Sequence, residues 1–296
     1  MGFLAVFLLL ISEQTCSKLC SNLVAEEGRA AYSFFMVING VIACCFFWLS
    51  SGLQLRINGI TLAYAAAYAL TVAVSLVSTL VAYRLVKIAA ANILCSAVSL
   101  ISGPLVGYAV FQEHIDGTVI GKILLMALSV GTLFLDDIKK GETQKVPEAG
   151  RKWKIVASLL GLTFVGLFGT LLGKAFAVST RVTDEKTYFF FTNVFLILGA
   201  GLVFLYCCLR EKGAFRSSLQ LLKPLRLLYL SGSTISTNIA GIIKIGLMAQ
   251  MAISIYNPTI SALGVVAGVV TSLIFKEKPG KYVYLAAAFA GVAMII

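Results

Sequence analysis

DDIKKGETQKVPEAGRKWK, residues 136–154, is the longest polar run in this chain of 296 residues, and its position decides how the rest is read. On its N-terminal side five apolar blocks follow one another, at 2–24, 31–51, 59–83, 88–110 and 118–136. On its C-terminal side lie five more, at 154–177, 187–209, 225–250, 255–275 and 280–296. A helix rising ~1.5 Å per residue crosses a hydrocarbon core of ~30 Å in about twenty residues, the length of these blocks. Hydrophobic types make up 59% of the chain and charged types 12%, against about a quarter charged in a soluble domain. A closed barrel would alternate apolar and polar residues every second position, and the block 61–82 does not. The expectation is an all-α integral membrane protein with ten transmembrane helices. The opening MGFLAVFLLLISEQ lacks the basic start and small-residue cleavage site of a signal peptide and reads as the first span.

Outward from the central run the two flanks match. Lys18 and Lys174 sit late in the first helix of each half, and Tyr32-Ser33-Phe34-Phe35 is echoed by Tyr188-Phe189-Phe190-Phe191 at the same separation of 156 positions. Phe111-Gln112-Glu113 recurs as Phe275-Lys276-Glu277, and Gly103-xxx-Gly107 is echoed by Gly264-xxx-Gly268. The Phe-x-Glu separation is 164, so the loop after the seventh helix is longer by about eight residues. Five is an odd number, so the second half re-enters the bilayer from the opposite side. The expected organisation is therefore two inverted five-helix repeats, 1–136 and 154–296, joined by 137–153. Inverted repeats commonly build carriers with a solute site near the midplane.

The charge of +11 does not mark a nucleic-acid surface, because the basic residues occupy short loops with no interleaved aromatics. Loops 1–2, 3–4, 5–6, 7–8 and 9–10, with their flanks, hold seventeen Lys and Arg; the other four loops hold four, counting Lys122 with loop 4–5. The positive-inside rule then puts the first set in the cytoplasm and both termini outside. Seven cysteines form no CxxC pair, and the single His114 cannot complete a zinc site. No metal or cofactor is expected. The spans also lack the paired acids, Ser-His sets or metal clusters of an intramembrane enzyme, and there is no Walker motif for direct ATP use.

This pattern resembles the drug/metabolite transporter superfamily, and within it the EamA-type ten-helix branch. The resemblance rests on 89–113 followed by a fifth helix, on 257–277 followed by a tenth, and on the closing Ala290-Gly291-Val292. In that family the fourth helix of each half runs into a Gly-Glu turn. Here the acids are Glu113 and Glu277, but Gln112 and Lys276 replace the glycine. Family members usually keep both termini in the cytoplasm, against the charge count. The resemblance implies secondary transport of a small solute, and the family's solutes range from amino acids and drugs to sugar phosphates and nucleotide sugars.

Within the spans, the ionisable candidates are Glu13, Lys18, Lys174 and Lys244. A charge at depth costs about 2.5–3.5 kcal/mol on insertion scales and is expected to face a cavity or a partner. Glu13 in LLISEQTCSK is similar in position to the first-helix glutamate that couples protons in the small multidrug resistance branch; Gly169 occupies its repeat position. Lys244 in TNIAGIIKIGLMAQ is similar to a helix-eight lysine of nucleotide-sugar carriers. Each of these has a plainer reading, as an ion pair between helices or, for Lys174, a side chain snorkelling to the interface. Asn39, Asn92, Asn193, Asn238 and Gln250 can meet a solute or bridge helices, with Asn193 and Asn238 the first to test. Asn257-Pro258 marks the expected start of the ninth helix. Three lysines against one glutamate favour an anionic or zwitterionic solute. The expected partners are that solute, membrane lipids and protons. Export of cationic drugs and a lipid-handling or scaffold role are the alternatives. Minimal loops and the lack of an Asn-x-Ser/Thr sequon point to a bacterial inner membrane.

Overall fold

The computed structural model describes residues 2–26, 29–52, 54–85, 103–140, 151–179, 181–211, 213–276 and 280–295. Every element among them is helical. In chain order they are α1 (Gly2–Glu26), α2 (Arg29–Ser50), α3 (Gly59–Leu85), α4 (helical over the described residues 103–111), α5 (Gly117–Lys140) and α6 (Arg151–Phe164). A π-helical turn, Val165–Gly169, joins α6 to α7 (Thr170–Val178). Then come α8 (Glu185–Arg210), the short α9 (Ala214–Ser218), a 3-10 turn (Leu219–Leu222), α10 (Pro224–Gln250), α11 (Ile253–Ile274) and α12 (Lys281–Ile295).

Six stretches among the described residues are long and apolar enough to cross a membrane: Gly2–Ser21, Ala30–Ser50, Gly59–Tyr83, Val156–Val178, Glu185–Arg210 and Ile253–Ile274. Shorter apolar stretches, Gly117–Ser129 and Lys281–Ala293, lie in α5 and α12. The 27-residue α10 matches the others in length, but it carries Ser231, Ser233, Thr234, Ser236, Thr237 and Asn238 in succession along its middle. Most of the expected fourth span, with Asn92 and Cys95, lies outside the described residues, as do 141–150 and Glu277.

The polarity of the helices is inverted relative to a water-soluble bundle. On α8, Leu198, Leu202, Leu205 and Leu209 stand exposed, while Thr192 and Asn193 are buried with Leu196 and Ala200. Apolar stripes this long are rare on soluble monomers, and in hydrocarbon they cost nothing. The protein is thus an all-α membrane protein whose polar groups collect inside. α11 is the most enclosed of the long helices; it packs on α1 and α12, while α10 runs against α1 and α8 against α2 and α3.

Local chemistry sets the helix ends. Asp116 caps α5 by accepting from the Val119 N–H at 2.9 Å, and Asp184 caps α8 by accepting from the Thr187 N–H at 2.8 Å. The loop before α3 meets the loop before α8: Asn58 donates to the Arg181 carbonyl at 2.8 Å, and the Thr183 N–H donates to the Thr61 hydroxyl at 2.9 Å.

Two helix boundaries and the placement of one lysine depart from the sequence reading. α5 continues to Lys140, beyond the expected end at 136. α11 begins at Ile253, so Pro258 lies inside the helix instead of opening it. Lys122, counted above with a loop, stands within α5 and is buried, its ammonium 3.4 Å from the Thr259 hydroxyl of α11.

Candidate functional site

The polar middle of α10 faces α1 along an antiparallel seam. Ser12 meets Ser236 at 2.8 Å and Ser17 meets Ser233 at 2.9 Å. Between those rungs sits Glu13, half-buried, with the Thr237 hydroxyl against its carboxyl and the Lys244 ammonium in electrostatic reach. Thr237 donates its own proton to the Ser233 carbonyl at 2.9 Å. Its oxygen can then accept from a protonated Glu13, and rotation of the hydroxyl lets it donate to an ionised one. The next residue, Gln14, turns to α11, where it donates to the Gly264 carbonyl at 3.4 Å. Thus adjacent residues of α1 address two different helices.

Lys174 and Lys18 are placed differently from Lys244. The Lys174 ammonium donates to the carbonyls of Met248 and Met251, both at 2.7 Å, at the C-terminal end of α10. Those carbonyls lack intrahelical partners and carry the negative end of the helix dipole, so a cation fits there. Lys18 donates to the carbonyl of Tyr83, near the end of α3, at 2.6 Å.

Beside Lys174, Glu113 performs the complementary task. Its two carboxylate oxygens accept from the N–H groups of Ile253 and Ser254 at 2.7 and 2.9 Å, the first turn of α11. Lys174 stands 3.9 Å from one of them. Gln112, just before Glu113, adopts a left-handed φ of 54°, and Lys276 adopts one of 53°. These are the positions where the family that the sequence resembles carries glycine, and a glycine would adopt that backbone without strain. α4 approaches through Gly103 and Gly107. A Cβ on Gly103 would overlap the Asn257 side chain at 2.4 Å, and one on Gly107 would meet the Glu113 carboxylate at 2.6 Å. Asn257 in turn donates to the Thr170 hydroxyl at 3.1 Å, just past the π-helical turn. The junction thus ties α4, α7, α10 and α11 together at one end of the molecule.

A third group is aromatic. Tyr188 stacks on Phe176 with centroids 4.0 Å apart and lies 5.5 Å from Tyr68. Phe189 stacks on Phe47 at 5.4 Å. Its ring lies over Gly241 of α10, where a Cβ would meet it at 3.0 Å. Tyr256 of α11 adds its hydroxyl within electrostatic reach of Tyr68.

Of the two amides singled out above, Asn193 donates to the Phe189 carbonyl of its own helix at 2.8 Å, and Asn238 donates to the Thr234 carbonyl of its own helix at 2.7 Å. Asn39 instead reaches across to the Thr234 hydroxyl. The side chains brought together are therefore Glu13 with Lys244, and Lys174 with Glu113, while Lys18 donates to the Tyr83 carbonyl of α3. Sequence reasoning did not assign a role to Lys122, to the phenols or to the Glu113 cap. Lys122 falls inside the span 118–136 and was legible there. The phenols and the cap depend on which helices meet.

No family model matches this chain, and no curated protein does. A solved structure titled "Crystal structure of protein" is similar in fold: it superposes with a TM-score of 0.54 over 98% of this chain and 95% of that one, at 14% identity.

Proposed function

We propose that this protein is a secondary-active carrier that moves a small polar metabolite, anionic or zwitterionic, across a bacterial inner membrane by alternating access. The observation that carries the reading is the Glu13–Thr237–Lys244 set. It places opposite charges and a rotatable hydroxyl across a helix seam inside an apolar bundle. Glu13 can exchange a proton for Lys244 or for solute as its surroundings open to either side. Proton-coupled transport and solute exchange both fit that chemistry.

We propose as well that ten spans form two inverted repeats, and two pairs of positions support it. Lys18 and Lys174 share a separation of 156, and each donates to carbonyls near the end of the third helix of its half. Gln112 and Lys276 share a separation of 164 and the same left-handed backbone. Membership of the EamA-type branch of the drug/metabolite transporters accords with these pairs. Among the described residues, Lys18, Lys122, Lys174 and Lys244 outnumber Glu13 and Glu113 in the interior, which weighs against a cationic drug as solute.

Purified protein in proteoliposomes, offered amino acids, sugar phosphates and quaternary cations with and without a pH gradient, tests the proposal. Saturable uptake of one anionic or zwitterionic class is expected; uptake confined to quaternary cations would replace the reading with drug export. Orientation is tested separately. A single cysteine introduced at Arg216 should resist an impermeant thiol reagent in intact cells and react after lysis, and reaction without lysis places that loop outside.

A further inference from the structure

Residues 213–223, GAFRSSLQLLK, link α8 to α10 through α9 and the 3-10 turn. Gly213 has a φ of 88°, a left-handed backbone that turns the chain away from the end of α8 and that glycine adopts without strain. Ala214, Ser218 and Leu221 follow at the helical spacing i, i+4, i+7 and are buried, where α9 packs on α2. Phe215, Leu219 and Leu222, each one position further on, form a second apolar row, and this row is exposed, Phe215 by 57%. The Phe215 ring still meets Phe204 of α8, with centroids 6.3 Å apart, so the row is fixed to the bundle.

What covers the row follows from its neighbours and its charge. On α8 the exposed stripe Leu198, Leu202, Leu205, Leu209 ends one turn before Gly213, and Leu225 and Leu228 stand exposed at the start of α10. α8 is long and apolar enough to cross a bilayer, so acyl chains cover its stripe, and the row in 215–222 continues that coat at the helix end. There the hydrocarbon gives way to headgroups. Between Tyr206 and Leu230 the sequence holds Arg210, Lys212, Arg216, Lys223 and Arg226 against Glu211 alone. Adding Glu26, Glu27 and Arg29 around the junction of α1 and α2, where Ala30 shares a buried cluster with Ala214, leaves six basic residues against three acidic ones. Arg216 and Lys223 are exposed. Arg210 donates to the Tyr206 hydroxyl at 2.9 Å, which uses one of the several N–H groups of its guanidinium. An apolar row flanked by basic residues is the pattern of a segment lying in the membrane interface. Each basic residue close to an anionic bilayer surface strengthens binding about fivefold.

We infer that residues 213–223 lie flat in the bilayer interface, with Phe215, Leu219 and Leu222 among the acyl chains, and that Arg210, Arg216 and Lys223 bind the phosphate of an anionic phospholipid. The site stands apart from the carrier reading, since it needs only a bundle that spans the membrane.

The test uses the full chain in phosphatidylcholine bilayers, with Phe215→Trp as reporter and the two native tryptophans removed as Trp48→Phe and Trp153→Phe. Lipids with brominated chains quench a tryptophan that they touch. Brominated phosphatidylcholine should quench, and brominated phosphatidylglycerol at the same mole fraction should quench more. Adding Arg216→Gln with Lys223→Gln should cut that preference about threefold or more while leaving quenching by brominated phosphatidylcholine in place. Arg216→Lys with Lys223→Arg should keep the preference, which separates lost charge from misfolding. Equal quenching by the two lipids in the reporter protein, or a preference unchanged in the double glutamine variant, overturns the phosphate contact. Quenching by neither overturns the interfacial placement, and is the result if a second copy or another protein covers the row. A preference abolished by inorganic phosphate, but not by sodium chloride of equal ionic strength, would make this a soluble-anion site and overturn the lipid assignment.

Discussion

Lys174 and Lys244 both lie within the helical bundle, and the bundle treats them in opposite ways. Lys174 is enclosed by backbone: two carbonyls at the end of α10 and the Glu113 carboxylate saturate its ammonium. Lys244 faces the side chain of Glu13 across the α1–α10 seam. The first arrangement fixes helix ends and has no reason to change during a cycle. The second joins two groups whose charges can be altered by a proton or a solute. A charge inside a membrane is therefore not by itself a sign of function; what it touches decides.

The largest effect expected from this contrast is on folding. Lys174→Ala removes one partner of a buried pair and strands both carbonyls, which should cost about 3–5 kcal/mol. It should be read as a steep loss of monodisperse protein and a lowered melting temperature in detergent. Lys244→Ala should cost folding much less, because Glu13 across the seam can take a proton and become neutral once its partner is gone, while solute affinity falls about tenfold or more, as for other hydrogen bonds to a charged group. Equal destabilisation by the two would erase the distinction and make both lysines structural.

A smaller effect is expected at the junction. Glu113→Gln keeps the side chain's length but offers one acceptor oxygen where two N–H groups of α11 now find a charged one. A cost of about 1–3 kcal/mol is expected, visible as faster amide exchange at Ile253 and Ser254. Protection unchanged there would show that the carboxylate does not hold the helix start. Smallest of all should be the serine rungs. Ser12→Ala with Ser236→Ala should shift stability by no more than about 1 kcal/mol, near the average of about 0.6 for interhelical hydrogen bonds in membranes. A large loss in that double variant would mean that the seam itself, and not Glu13 and Lys244 within it, is what α1 and α10 require.

The six long apolar stretches were legible because a membrane helix declares itself through length and apolarity, with little reference to its neighbours. The ends of α5 and α11 were less so. Asp136–Lys140 looks like loop by composition, yet the helix runs on, since polar residues extend a helix freely once it leaves the hydrocarbon. Asn257-Pro258 was read as the start of the span 255–275, but α11 begins at Ile253, where Glu113 supplies an acceptor from outside the helix. No local pattern around 253 announces that. The candidate charges were visible for the same reason that they are costly, and Glu13 and Lys244 stood out on those grounds alone. Tyrosines inside apolar blocks read as core filling. Only the packing shows the hydroxyls of Tyr188 and Tyr256 enclosed without partners.

The most direct measurement is solute accumulation in proteoliposomes under an imposed pH gradient, comparing wild type with Glu13→Gln. Gln keeps the size and hydrogen bonding of the side chain but cannot ionise. The wild type should concentrate its solute and lose it when the gradient collapses, while Glu13→Gln should still exchange solute across the bilayer but fail to concentrate it. Gradient-driven accumulation by Glu13→Gln equal to wild type would remove Glu13 from the mechanism. A wild type that moves nothing in the panel faster than protein-free vesicles would contradict transport itself.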